Sequence, residues 1–266
     1  MTSTSSPVTT RSLLKKKERG ERISMLTAYD FTMATLLEEA GVDMLLVGDS
    51  LGMVVQGHST TLPVSLRDMI YHGSLVARAA RRAMVVVDLP FPHGHLGVLK
   101  TVAVAARVMK RTGCQAVKLE GGAEQADTIA ALVNAGIPVI AHVGLRPQSV
   151  HAIGGYHVQR DADRLRRDAL AAQTAGAFCV LMECVPQELA KRMTAELKVP
   201  TIGIGAGPDC DGQVLVTHDL LGLTLGRVPK FVRQNCNLAE QIRQAVTQYN
   251  DSVREGTFPS AAESFE

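Results

Sequence analysis

Five apolar runs in this chain each stop on a charged or ionisable side chain, and that repeated ending limits the fold more than any other feature. The runs are MLLVG before Asp49, MVVV before Asp88, QAVKL before Glu120, PVIA before His142 and CVLM before Glu183. Short apolar runs rich in β-branched residues read as strands buried on both faces, hence as parallel strands covered by helices. In parallel α/β folds the chemistry gathers at the carboxyl ends of the strands. Five such ends carrying Asp, Asp, Glu, His and Glu surround one mouth, and the pattern reads as an enzyme.

The same grammar recurs as a unit. AGVDMLLVGD, TGCQAVKLEG, AGIPVIAHVG and AGAFCVLMEC each give a helix end, a glycine and a strand with a polar tip. Gly41, Gly113, Gly136 and Gly176 fall where a left-handed residue ends a helix. Helical periodicity places Phe31, Ala34 and Leu37/Leu36 on one face of Asp30–Ala40, and Ser65/Asp68 start Ser65–Ala80 as a capping-box pair. The expected strands are Ile23–Thr27, Met44–Gly48, Met84–Val87, Ala116–Leu119, Val139–Ala141, Cys179–Met182, Thr201–Gly203 and, more weakly, Leu221–Thr224. The last expected helix is Leu238–Tyr249. Eight strands alternating with helices predict a single (β/α)8 TIM barrel. A doubly wound open sheet is the alternative, but its G-x-G-x-x-G fingerprint after the first strand is missing.

At 266 residues the chain has the length of one such barrel. No linker separates candidate halves, so one domain is expected over residues 1–266, with a short N-terminal helix (about 9–20) and a C-terminal tail (about 251–266). The 28 basic and 26 acidic residues nearly cancel, which gives no reason to expect nucleic acid or an anionic membrane as partner. No apolar run approaches the length of a bilayer span. The N-terminal MTSTSSPVTTRSLLKKK lacks acids and is rich in Ser and Thr; it reads as a frayed start, with a targeting role as the minor alternative. Five cysteines without a CxxC pair suggest neither a disulfide framework nor a zinc site, and a cytoplasmic setting fits.

Asp49 and Asp88 end consecutive strands, so their carboxylates should stand side by side. Adjacent carboxylates repel unless a proton or cation lies between them, and a hard dication such as Mg2+ takes oxygen ligands. Helix capping is the plainer role for either one. Lys118 and Glu120 are two apart on a strand and point the same way. They suit a structural ion pair inside the barrel, with Lys118 also reaching an anionic substrate. His142 closes the fifth strand as a core residue or a ligand contact. Glu183 closes the sixth, where partial desolvation would raise its pKa toward that of a general base; an N-terminal helix acid is its structural alternative. The GIGAG of Gly203–Gly207 suits either an anion or a tight turn. The connections Gly52–Pro63 and Gly144–Gln159 are long enough to serve as lids or binding walls.

Longer motifs then carry a resemblance. TAYDF (Thr27–Phe31), VGDSLG (Val47–Gly52), VVVDLPF (Val85–Phe91), VKLEGG (Val117–Gly122), HVGLRPQS (His142–Ser149), GGYHVQ (Gly154–Gln159), MECVP (Met182–Pro186), IGIGAG with DGQVLV (Ile202–Val216) and PKF (Pro229–Phe231) resemble the ketopantoate hydroxymethyltransferases in order along nearly the whole chain. The resemblance implies a barrel of the phosphoenolpyruvate/pyruvate type that assembles as a homo-oligomer, commonly a decamer. It implies transfer of a one-carbon unit from 5,10-methylenetetrahydrofolate to 2-oxoisovalerate, giving 2-dehydropantoate. It further implies Mg2+ at Asp49 and Asp88 with Glu120 supporting the metal's water shell. Ser50 and Lys118 would hold the substrate carboxylate, Asp49 and Asp88 would lie against the keto acid, His142 would contact it, and Glu183 would be the acid/base.

Two segments depart from the pattern: Pro92-His93-Gly94-His95 stands where a short Ser/Ala-Tyr segment is usual, and the stretch after GGYHVQ is shorter. His93 and His95 suggest a metal pair or exposed surface. The rival readings are a relative of phosphoenolpyruvate mutase or isocitrate lyase, whose KKCG-like loop is missing from the sequence, and a barrel that binds keto acid or folate without turnover.

Overall fold

The computed structural model describes residues 6–265, so the first five residues of the expected frayed terminus lie outside the described residues. In chain order the elements are α1 (Thr10–Glu18), β1 (Ile23–Thr27), α2 (Phe31–Glu39), β2 (Met44–Val47), α3 (Leu51–Val54), α4 (Leu66–Ala79), β3 (Met84–Asp88), α5 (Val98–Thr112), β4 (Ala116–Glu120) and α6 (Ala126–Asn134). They continue as β5 (Val139–Gly144), α7 (Val150–Ile153), α8 (Ala162–Thr174), β6 (Cys179–Glu183), α9 (Gln187–Glu196), β7 (Thr201–Ile204), β8 (Gly212–Leu215), α10 (Thr217–Leu220) and α11 (Leu238–Glu255). All eight strands pair in parallel in sequence order, and β8 closes on β1 with Val214 opposite Met25. The chain divides into two compact units, one ending at Val216 and the other starting at Thr217.

The first unit holds the barrel. Alternation along each strand sends one set of side chains inward: Met25, Met44, Leu46, Met84, Val86, Ala116, Ile140, Cys179, Leu181, Ile202 and Val214 form one buried cluster. The other set meets the surrounding helices in a second cluster that includes Val85, Val87, Val117, Leu119, Val139 and Ala141. Burial on both faces is why these strands read as unbroken apolar runs. Helix α1 closes the end from which the strands start. Its Leu13 joins the inner cluster, Lys16 bonds Asp43 at 2.8 Å just before β2, and Lys17 bonds Asp211 at 2.7 Å just before β8. Thr9 and Ser12 cap it reciprocally, as Ser65 and Asp68 cap α4.

Seven strands fall where the apolar runs predict them, and the four glycines that end helices all have positive φ, between 79° and 97°. Leu221–Thr224 is not the eighth strand. Leu221 N–H donates to Thr217 O, so this segment closes the turn after α10, and the strand is Gly212–Leu215. Gly212 sits tight against β1, where a Cβ would come within 2.4 Å of the Ile23 carbonyl. On α2 only Ala34 and Leu37 are buried, whereas Phe31 and Leu36 are half exposed. The two long connections are built around the short helices α3 and α7.

In the second unit, α11 continues past Tyr249 to Glu255, capped by Asn237 at one end and by left-handed Gly256 at the other. No described helix is long and apolar enough to cross a membrane. All five cysteines are free thiols.

Candidate active site

On β3, β4, β5 and β6 the inward-facing row ends in a polar group where the strand leaves the core. Ala116, Lys118 and Glu120 share one face of β4; Met84, Val86 and Asp88 share one face of β3; Ile140 precedes His142 on β5, and Leu181 precedes Glu183 on β6. The register sets Asp88 beside Lys118 and Glu120 beside His142. All five expected strand ends therefore meet at one mouth. Asp49, Asp88, Lys118, Glu120 and His142 are buried, and the Glu183 side chain keeps 17% of its surface exposed.

Asp49 lies one residue beyond Gly48 in a turn, and its backbone N–H donates to Asp88 Oδ2 at 3.0 Å. Gly48 leaves the space this turn needs, because a Cβ there would stand 2.8 Å from Ser50 Oγ and 3.5 Å from Asp88 Oδ2. Ser50 Oγ shares a 2.8 Å hydrogen bond with the buried Tyr29 hydroxyl. Burial raises the Tyr29 phenol above its usual range, although hydrogen bonds with Ser50 and Thr27 pull the other way. The Tyr29 carbonyl is in turn 2.6 Å from His72 Nδ1.

Lys118 Nζ stands 2.9 Å from Asp88 Oδ1 and 3.1 Å from His142 Nδ1. Burial alone would lower the Lys118 pKa, but Asp88, Asp49 and Glu120 raise it above its usual range, so the ammonium persists. A charged lysine can only donate, which makes His142 Nδ1 the acceptor and puts the imidazole proton on Nε2. Burial and Lys118 hold His142 well below its usual pKa, consistent with that neutral form. Nε2 faces Glu183 Oε2 at 3.2 Å, although too obliquely for a full hydrogen bond. Glu120 Oε1 is 3.8 Å from His142 Nδ1.

Four carboxylates thus surround one ammonium and one neutral imidazole. Burial and the neighbouring Asp88 push Asp49 up to about 7, against the pull of Lys118 and the Gln148 hydrogen bond. Burial and Asp49 raise Glu120 well above the carboxylate range. Burial lifts Glu183 to about 7, opposed by Lys118. Asp88 Oδ1 is buried with an ion pair but no well-angled hydrogen bond. This crowd of hard oxygens, short of positive charge, matches the donor chemistry of Mg2+. Among the described residues no three His, Cys, Asp or Glu side chains converge into a complete metal cage. A cation at Asp49 and Asp88 would have to draw its remaining ligands from water or substrate.

Two contributors had no role in the sequence reading. Tyr29 was one letter of TAYDF and turns out to support Ser50. Gln148, a neutral amide in a loop, shows no periodicity or charge that could reveal it, yet it donates to Asp49 Oδ2 at 2.8 Å. Tyr156, on the connection after β5, touches Met53 Sδ at 3.8 Å on the connection after β2, so the two long connections meet. The same β5 connection walls a cavity of about 200 Å3 lined by Gly144, Arg146, Ser149, Ala152, Ile153, Gln159 and Arg164. Of the histidines after β3, His95 has its Nδ1 bound by Gln125 Nε2 at 2.6 Å. The surface alternative holds for His95, which is exposed, whereas His93 is half-buried.

The family model described as ketopantoate hydroxymethyltransferase matches residues 7–261. A 3-methyl-2-oxobutanoate hydroxymethyltransferase of Rhodopirellula baltica is 63% identical over 98% of this chain and 97% of its own. A protein of the same name from Desulforapulum autotrophicum is 54% identical over 95% and 96%. Among solved structures, a phosphonopyruvate hydrolase superposes with a TM-score of 0.63 at 15% identity, covering 96% of this chain and 92% of that one. A 2,3-dimethylmalate lyase of the PEP mutase/isocitrate lyase superfamily gives 0.62 at 17% identity, covering 96% and 91%. The rival mutase or lyase reading thus shares the barrel with this chain and little of the sequence. With the family model spanning nearly every residue and such relatives matching from end to end, this chain is an enzyme belonging to the ketopantoate hydroxymethyltransferase family.

Proposed function

We propose that the enzyme transfers a hydroxymethyl group from 5,10-methylenetetrahydrofolate to 2-oxoisovalerate (3-methyl-2-oxobutanoate), giving 2-dehydropantoate on the route to pantothenate. The observation that carries this reading is the set of buried Asp49, Asp88 and Glu120 and partly exposed Glu183 around Lys118, in a chain whose relatives are named for hydroxymethyl transfer to 3-methyl-2-oxobutanoate.

Lys118 and the Ser50 hydroxyl hold the carboxylate end of the oxo acid, the ammonium by charge and the hydroxyl by a hydrogen bond. Asp49 and Asp88 would hold a Mg2+ ion, one per subunit, which when bound would supply positive charge that eases enolate formation. Glu120 would support the water around that site, and neutral His142, whose Nε2 faces Glu183, contacts the substrate beside it. Glu183 removes the C3 proton; a carboxyl titrating near about 7 is ionised often enough at neutral pH to accept it. The C3 carbanion equivalent then attacks the methylene carbon of the folate in its iminium form. Water completes the hydroxymethyl group, and tetrahydrofolate leaves. Arg146, Ser149, Gln159 and Arg164 around the β5 cavity offer polar edges to the folate, with Ile153 as an apolar wall.

The enzyme works in the cytoplasm on these small molecules, without nucleic acid or membrane, and assembles as a homo-oligomer, a decamer by family resemblance. The deciding experiment is mass spectrometry of a reaction containing 2-oxoisovalerate, methylenetetrahydrofolate and Mg2+, with an EDTA control. The expected result is 2-dehydropantoate that disappears with EDTA. Absence of product from a folded, metal-supplied protein would reject the reading in favour of a barrel that binds without turnover.

A further inference from the structure

Gln148 sits in the short helical turn Pro147–Ser149 after β5 and is 7% exposed. Both of its amide hydrogens are engaged: Nε2 donates to Asp49 Oδ2 at 2.8 Å and to the Leu89 carbonyl at 3.0 Å. Its backbone N–H is shared between the two oxygens of Glu120, at 3.2 Å to Oε2 and 3.4 Å to Oε1. One residue of the β5 connection therefore grips groups at the ends of β2, β3 and β4. The choice of side chain is informative. A lysine or arginine at this point would add a cation to the cluster and compete with a metal for its oxygens. A glutamine side chain fixes the Asp49 oxygen by a hydrogen bond and leaves the net charge untouched. An amide carbonyl, unlike a side-chain cation, also keeps its own dipole available within the turn.

We propose that Gln148 is a positioning residue for the reaction: its side chain orients the Asp49 carboxylate, beside the main-chain contact to Glu120, so that a divalent cation and the oxo acid are bound in register. This rests on the function proposed above. Gln148 need touch neither substrate nor the proton in transfer, so its loss should weaken binding more than turnover. Residues that orient metal-binding groups typically contribute about 10- to 100-fold in affinity or activity.

The test uses the full-length enzyme and its Gln148→Met variant, which fills similar volume without a donor. Mn2+ binding is titrated without substrate by electron paramagnetic resonance of the free ion, and kcat and KM for 2-oxoisovalerate are measured separately. The expected result is secondary structure like wild type, Mn2+ affinity and KM each worse by roughly tenfold or more, and a smaller change in kcat. A folded variant with Mn2+ affinity and KM within twofold of wild type would overturn the proposal. If Gln148→Met does not fold, Gln148→Asn is judged by the same criteria, since its shorter amide cannot span the same partners. Wild-type protein that binds no Mn2+ would instead remove the cation site itself, and this proposal with it, which separates that failure from a failure of Gln148 alone.

Discussion

Asp88 holds Asp49 by its backbone: one oxygen of the Asp88 carboxylate accepts the Asp49 N–H at 3.0 Å, while the other faces Lys118 at 2.9 Å. The second acid thus shapes the turn that presents the first. Asp88→Asn keeps the volume and an oxygen for that turn but removes the charge. Alanine is a poorer probe, because stranding a buried lysine costs about 3–5 kcal/mol. The expected outcome for Asp88→Asn is loss of Mg2+-dependent product formation in a folded protein whose melting temperature is lowered, because Lys118 loses its nearest counter-charge. Activity that still saturates at the wild-type Mg2+ concentration would remove Asp88 from the cation site.

Glu183 stands 3.2 Å from the donor side of a neutral imidazole, which leaves its carboxylate free to accept a proton. Glu183→Gln keeps the shape and removes the base, so kcat should fall by about 10²- to 10⁴-fold. Exchange of the C3 proton of 2-oxoisovalerate in D2O, followed by NMR without folate, isolates the step. Exchange at the wild-type rate would move the base to another carboxylate.

Acidity should act on activity and stability in opposite senses. Glu183 must be ionised to act, so kcat/KM should rise with pH through a midpoint near about 7. Its folded pKa lies above the ordinary 4.5, so the folded protein retains a proton that the unfolded chain has released. That contribution to stability is present below 4.5 and is lost as pH rises through about 7. Asp43 behaves in the opposite way: with Lys16 and Ser24 outweighing burial, its pKa is lowered, and its contribution fades on acidification. Metal-free melting temperatures recorded from pH 5 to 8 should decline for wild type more steeply than for Glu183→Gln.

Tyr29→Phe removes one hydroxyl and leaves the ring packed. Ser50 then loses its 2.8 Å partner and gains rotational freedom. The expected outcome is a KM for the oxo acid several-fold higher, a smaller change in kcat, and a stability loss of about 1 kcal/mol. Unchanged KM would mean that Ser50 takes no part in holding the substrate.

Most of the barrel was legible because β2 to β7 are buried on both faces and therefore read as largely apolar runs. The eighth escaped for the same physical reason in reverse. Gln213 is exposed, Gly212 must be small to pass the Ile23 carbonyl, and only Val214 packs in the inner cluster. Leu221–Thr224 offered more leucine and attracted the assignment, although its backbone closes a helical turn. The charged members of the site announced themselves at strand ends. Gln148 could not, because a neutral amide in a loop gains its meaning only when folding brings Asp49 and Glu120, 99 and 28 residues away in sequence, onto its donors. Tyr29 was hidden differently, as an aromatic residue whose hydroxyl points to a serine rather than to an acid.

The shortage of cations at the mouth also makes it a small reservoir of hydrogen ions. Asp49, Glu120 and Glu183 each retain a proton more readily than a free carboxyl does, because each is buried and only Lys118 answers their charge. A cation entering the site would compete with those protons, so that binding it and releasing hydrogen ions are linked. If the proposed cation binds there, its affinity is tied to the acidity around it and weakens as those carboxylates take up protons.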